Sequence, residues 1–253
     1  MSLPPLFDNR FPCYYKEKYS CVNILWYQAD FTQSKYPPGQ EISEACTLIC
    51  LLVAYRISQL DLLIGDIDGC QQFNIVIAKS IIEGNRIHMC IVDKKLVQNP
   101  YLNVEEALQF GGSKLSAIKE WKFQVFHEDL ECSLFKNIRS FLCEWYKSPK
   151  SSNLFVLLIT CGRTILFIFQ QKTKKAIIFD SHGHNTKNTN RGLVVAQAPI
   201  SSLEELCNWY IKDVIQNCYQ VSPNQYELTC LYHQPEHKSD SCNRCQCGMS
   251  NKK

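Results

Sequence analysis

The residues best suited to nucleophilic chemistry are Cys46, on an early apolar segment, and His182, late in the chain. A cysteine attacks as thiolate, so its surroundings must favour the ionised form. Ser43 can cap a helix running from about Glu44 to Leu60. Cys46 would then be its third residue, near the unsatisfied N–H groups and the positive end of the helix dipole, both of which favour thiolate. His182 closes the run Ala176-Ile-Ile-Phe-Asp180-Ser-His182. Residues two apart on a strand point the same way, so Asp180 and His182 are expected side by side. A carboxylate there would hold the imidazole tautomer and raise its basicity. Gln40, just upstream of Cys46, offers an amide that could complete an oxyanion hole with the Cys46 main-chain N–H. Each residue also has a plain reading. Cys46 could be a buried structural thiol like Cys50. Asp180–Asn185 could be a polar turn. Gln40 could end a Pro-Gly turn and face water.

A second cluster lies at the C-terminal end, where Cys230, His233, His237, Cys242, Cys245 and Cys247 fall close together. Cys242-Asn-Arg-Cys245 has the two-residue gap of a zinc knuckle, and Cys230-x-x-His233 could supply the other half. A zinc held by Cys230, His233, Cys242 and Cys245 would be structural, since no open coordination position is evident. The competing reading is a loose tail with several thiols. The thiol chemistry itself needs no cofactor.

The rest of the chain must position these groups. Positions 45, 48, 49, 52 and 53 of the Cys46 segment are apolar, and so are its other faces, which describes a buried central helix. Further helices are expected over Gln71–Ile82, Val104–Phe110 and Leu134–Tyr146. The period then changes to that of strands at Leu154–Thr160, Thr164–Phe169 and Ala176–Phe179, read as an antiparallel meander. A strand at Gly192–Ala196 follows. Ser202-Leu-Glu-Glu205 opens a helix with a capping-box pattern, and a last strand covers Tyr226–Tyr232. An earlier strand fits Val22–Tyr27, and Tyr36-Pro-Pro-Gly39 is a turn signal. Helices first and sheet second give an α+β class. The expected organisation is an N-terminal segment over 1–40, a domain over 41–232 and a polar Cys/His-rich tail over 233–253.

Composition narrows the function classes. The chain has 253 residues and a net charge of +3, too small to argue for nucleic acid. Its most apolar windows, 45–55 and 154–162, are too short to span a membrane. The start lacks a signal-peptide pattern. Fifteen cysteines cannot all pair internally. A reduced, cytoplasmic or nuclear setting is the expectation.

The order of an early helical cysteine and a late strand-end histidine resembles the papain-like cysteine peptidase superfamily. The Asp-x-His pair resembles its ubiquitin and ubiquitin-like deconjugating branches, which include autophagy-type and Ufm-specific peptidases and herpesvirus large-tegument deubiquitinases. The resemblance implies Cys46 as nucleophile, His182 as base, Asp180 as orienter and Gln40 as oxyanion donor. It implies a papain-like α+β fold with the cysteine helix packed on an antiparallel sheet. It also implies hydrolysis of peptide or isopeptide bonds, with ubiquitin or a ubiquitin-like protein as partner. Some residues differ. Ser181 stands where the autophagy and Ufm branches carry Pro, Ser43-Glu44-Ala45 precedes the cysteine in place of a Gly-Trp-Gly-like segment, and Thr47 follows it. Glu44 lies close enough to oppose thiolate formation. The alternative is an inactive module of the same fold that binds a protein partner.

Overall fold

The computed structural model describes residues 12–39 and 42–234. Ten strands and five helices form over them. The strands are β1 (Tyr14–Tyr19), β2 (Val22–Tyr27), β3 (Ile118–Phe126), β4 (Asn153–Thr160), β5 (Arg163–Gln170), β6 (Lys175–Asp180), β7 (His184–Asn185), β8 (Asn190–Arg191), β9 (Val194–Pro199) and β10 (Tyr226–His233). The helices are α1 (Cys46–Gln59), α2 (Gln71–Asp93), α3 (Val104–Phe110), α4 (Leu130–Trp145) and α5 (Leu203–Trp209). Helix α5 runs on into a π-helical stretch, Tyr210–Cys218.

Eight strands make one antiparallel sheet in the order β1-β2-β9-β6-β5-β4-β10-β3. Alternate residues of the central strands feed two separate cores. Leu166, Ile168, Ile177 and Phe179 pack with α1, α2 and α3, whereas Ile165, Phe167, Ala176 and Ile178 pack with α4 and α5. Both faces are therefore covered. This explains why β4, β5 and β6 read as continuous apolar runs although the sheet is antiparallel, a pairing that often leaves one face wet.

Helix α1 is the central element. Ten of its fourteen residues are buried, on every face. It lies against β5 on one side and α2 on another. Gly84 makes the second contact possible: a Cβ there would sit 2.6 Å from Ile49 Cγ1. That packing carries α2 on to Asp93, well past the expected stop at Ile82, because a glycine facing a neighbouring helix gains contacts that offset its helix penalty.

Other boundaries also shifted for local reasons. Helix α4 begins at Leu130 rather than Leu134, because Asp129 accepts a cap bond from Cys132 N–H at 3.0 Å. Ser202 does precede α5 but makes no side-chain cap. Glu205, its expected capping partner, accepts instead from the Cys21 N–H at 3.3 Å. The strand expected at Gly192–Ala196 runs from Val194 to Pro199. Four strands had no clear sequence signal: the two-residue β7 and β8, and the two edges of the large sheet. β3 is an edge strand, mostly exposed along its length, so its alternation is weak. β1 is the opposite edge and mostly exposed. The order is thus not helices first and sheet second. The sheet draws strands from both ends of the chain, and Tyr14–Tyr27, placed by sequence in a separate N-terminal segment, extends it through the β2–β9 pairing.

Candidate active site

Cys46 is the first residue of α1, and Ala45 is the N-cap. Ser43 is not the cap that its position suggested. Its hydroxyl donates to Asn85 Oδ1 at 2.6 Å and accepts from the Ala45 N–H at 3.2 Å. The helix starts two residues later than expected, with no side-chain cap. The thiol therefore lies at the very end of α1, where the first-turn N–H groups have no intrahelical acceptor. Cys46 is 6% exposed.

Opposite this helix end is the C-terminal end of β6. Asp180 is its last residue and is fully buried. His182 lies beyond the strand, so strand alternation is not what brings it beside Asp180. A turn does: Asp180 Oδ1 accepts from the His182 main-chain N–H at 3.0 Å and meets His182 Nδ1 at 2.7 Å. A carboxylate oxygen accepts, so Nδ1 carries the ring hydrogen and Nε2 is left for chemistry. His182 in turn is the group that most lowers the Cys46 thiol, and Cys46 helps to raise His182.

The electrostatics follow from these contacts. Burial disfavours the Cys46 thiolate, but the His182 hydrogen bond and charge outweigh it and bring the thiol below its ordinary value. Thr164 adds hydrogen bonds from its side chain and its main chain in the same direction. Burial also disfavours charge on His182, yet the Asp180 charge and hydrogen bond, with help from Cys46, raise it to about 9. Asp180 is opposed by burial too, and the charges of His184 and His182 hold it well below the usual carboxylate range. The arrangement favours a thiolate–imidazolium pair with an ionised carboxylate behind it. Cys50, one turn on, is the contrast: desolvation pushes its thiol well up, and it donates to the Thr164 carbonyl at 3.6 Å.

Three residues around Asp180 escaped the sequence reading. Asp180 Oδ2 lies 3.1 Å from His184 Nε2 and accepts from the Tyr210 and Tyr219 hydroxyls at 2.8 and 2.7 Å. His184, part of a polar turn on the plain reading of Asp180–Asn185, is fully buried. The alternating Asp180-x-His182-x-His184 was the only signal available for it. The tyrosines had none, since they come from a segment far along the chain. Gln33 was missed as well. Its Nε2 donates to the Ser43 carbonyl at 2.8 Å and its Oε1 accepts from Ser181 Oγ at 2.7 Å, so it joins the lead into α1 to the end of β6.

Beside Cys46 is a cleft of about 190 Å³ bordered by Glu44, Tyr101, Leu102, Gly162, Thr164 and Glu227. Gln40 lies outside the described residues, as do Cys242 and Cys245. The remaining half of the expected zinc site does not fit a metal. Cys230 is fully buried among apolar side chains of the α4/α5 core, and burial pushes its thiol up to about 12. His233 is on the other side, its ring centroid 6.1 Å from that of Tyr55 of α1. Two side chains on opposite faces of one strand cannot ligate the same ion. Among the described residues no His/Cys/Asp/Glu group could hold a metal, all twelve cysteines are free, and no helix is long and apolar enough to cross a membrane.

Known proteins add little to this geometry. No protein-family model matches the chain, and no curated protein matches it. Among solved structures, it is similar to the ubiquitin-specific protease encoded by murine cytomegalovirus tegument protein M48, in complex with a ubiquitin-based suicide substrate. The TM-score is 0.47 at 13% identity, covering 84% of this chain and 87% of that one. It is also similar to the Pseudomonas avirulence protein AvrPphB, with a TM-score of 0.39 at 11% identity, covering 75% of this chain and 94% of that one. Likenesses this distant carry no argument about this chain. The chain's own architecture is α+β, with the cysteine of a buried helix and the histidine beyond a strand end meeting beside an antiparallel sheet.

Proposed function

We propose that the protein is a thiol-dependent hydrolase of peptide or isopeptide bonds, acting at the C-terminus of ubiquitin or a ubiquitin-like protein. The observation that carries the reading is the continuous link Cys46–His182–Asp180, in which an uncapped helix end and a buried carboxylate act on one thiol–imidazole pair. An inactive binding module has no need of a depressed thiol beside a cleft and a raised histidine coupled to it. Perturbed values with specific partners favour catalysis.

The chemistry runs in two steps. The Cys46 thiolate attacks the scissile carbonyl carbon and forms a tetrahedral oxyanion. His182 gives its Nε2 proton to the leaving amine as the C–N bond breaks, which leaves a thioester on Cys46. His182, now neutral, takes a proton from water, and the resulting attack breaks the thioester and frees the carboxylate. Asp180 holds the ring through Nδ1 throughout. The main-chain N–H of Cys46, at the open end of α1, is a donor for the oxyanion, and Gln40 is proposed as its partner. The ubiquitin-like substrate class rests on the resemblance of Asp180-Ser-His182. The cleft of about 190 Å³ beside Cys46 leaves room for a few residues of a C-terminal tail. The proposed setting is cytoplasmic or nuclear, in keeping with the free thiols.

Probes made of a ubiquitin-like body with a C-terminal electrophile test this directly. At least one of a panel should label Cys46, with labelling lost in Cys46→Ala and strongly reduced in His182→Ala. No labelling by any probe, together with no hydrolysis of ubiquitin-like fusions, would leave the binding module as the better reading.

A further inference from the structure

Asp180 has two oxygens, and the structure divides them. Oδ1 addresses His182 alone, through its main-chain N–H and Nδ1. Oδ2 is ringed by His184 Nε2, the Tyr210 hydroxyl and the Tyr219 hydroxyl at 3.1, 2.8 and 2.7 Å. Two of these partners are themselves held. His184 Nδ1 lies 2.7 Å from the Gly192 carbonyl, which accepts, so that nitrogen carries a hydrogen and the ring orientation is set. Tyr219 stacks on His184 with ring centroids 5.5 Å apart, and the Arg163 guanidinium lies 4.0 Å from its ring centroid.

The two tyrosines reach one oxygen because of how their helix is wound. Tyr210 begins the π-helical stretch and Tyr219 caps its end. In an α-helix of 3.6 residues per turn, this separation is about 2.5 turns and would put them on opposite faces. Bonds from i to i+5 widen the turn to roughly 4.4 residues, so the same separation becomes about two turns and both face one way. Tyr219 N–H bonds to the Val214 carbonyl at 2.9 Å, as such winding requires.

We propose that His184, Tyr210 and Tyr219 are positioning residues for the catalytic pair, and that the π-helical winding of Tyr210–Cys218 serves to place the two tyrosines. By occupying Oδ2 they fix the carboxylate's rotation, so that Oδ1 alone holds His182 at the angle that faces Cys46. All three act through Asp180, and Tyr219 also meets the His182 ring edge-on, with centroids 6.4 Å apart. The inference deepens the thiol-hydrolase reading and rests on it.

Alkylation of Cys46 by iodoacetamide, followed across pH by peptide mass mapping, tests the proposal without a substrate. Tyr219→Phe, Tyr210→Phe and His184→Gln are compared with the wild type and with Tyr15→Phe on the exposed β1. Wild-type Cys46 should be alkylated rapidly well below the range of an ordinary thiol. Positioning requires that Tyr219→Phe and the Tyr210→Phe, Tyr219→Phe double variant slow alkylation at pH 6 by about tenfold, the size of a one-unit upward shift of the thiol. Their rates should converge with the wild type near pH 9, while thermal unfolding stays cooperative. If the hydroxyls merely drew charge from Asp180, their removal would strengthen its hold on His182 and speed alkylation at pH 6. Faster or unchanged rates at pH 6 therefore overturn the proposal. A wild-type Cys46 that reacts as an ordinary thiol would overturn the hydrolase reading and this one together. Both phenylalanine variants keep their rings, so the test stands even if His184→Gln does not fold.

Discussion

Gln33 and Ser181 are bonded to each other twice. The Gln33 main-chain N–H donates to the Ser181 carbonyl at 2.8 Å, and Ser181 Oγ donates to Gln33 Oε1 at 2.7 Å. Gln33 Nε2 also donates to the Ser43 carbonyl, and its own carbonyl accepts from Asn85 Nδ2 at 2.8 Å. Gln33 is 3% exposed. One buried amide thus splints the lead into Cys46 against the strand end that carries His182.

Gln33→Leu should cost about 1–3 kcal/mol, the usual penalty when buried partners are left unsatisfied. Because those partners are the Ser43 carbonyl and the Ser181 hydroxyl, activity should fall further than stability alone explains. Denaturant unfolding beside probe-labelling rates separates the two effects. A variant that loses stability but labels at the wild-type rate would mean that Gln33 is only a structural tie.

The raised His182 and lowered Cys46 set the pH dependence of reaction. Activity needs the thiolate and the imidazolium together, so the alkaline limb should follow His182 near its value of about 9. The acid limb should lie below the ordinary thiol range, because His182 lowers Cys46. A kcat/KM profile on a turned-over substrate checks both limbs.

Stability should depend on pH through the same groups. His182 is raised on folding, so its contribution is fully present below about pH 6.5 and is lost as pH rises towards about 9. Asp180 is depressed on folding, so its contribution is present above about pH 4 and is lost as pH falls further. Wild-type Tm should therefore be highest between about pH 4 and pH 6.5 as far as this pair decides it. In Asp180→Asn both slopes should flatten, and a scan of Tm against pH shows whether they do.

Gly192→Ala should be among the most damaging small substitutions. A Cβ there would lie 2.0 Å from the Gln28 carbonyl and 2.7 Å from that of Phe31. The Gly192 carbonyl also receives His184 Nδ1. The expected cost exceeds about 3 kcal/mol, in the range of severe core overpacking. Gly65→Ala makes a fair control, since a Cβ there meets nothing within 4 Å. Thermal denaturation of the two variants should differ sharply.

Much of this protein was legible in its residues. The all-round apolar pattern of α1 identified a buried helix, and the runs at 154–160, 164–169 and 176–179 identified the meander, because burial on both faces leaves a local signature. Cys46, His182 and Asp180 stand out by type and order, because side chains suited to such chemistry are few, and folding brings them together. The structure then supplied what spacing could not. Ser43 looked like a cap, but a hydroxyl makes its bonds where neighbours allow, and Asn85 from α2 takes it. Asp180 and His182 were paired by alternation, yet a turn beyond the strand does the pairing. Cys230 and His233 had metal spacing in one dimension and lie on opposite faces of a strand in three. Residues close in sequence write a pattern into it, and residues joined by folding do not. The second face of Asp180 is of the latter kind: Tyr210 and Tyr219 meet it only because the chain returns there wound as a π-helix, and no local period records that return.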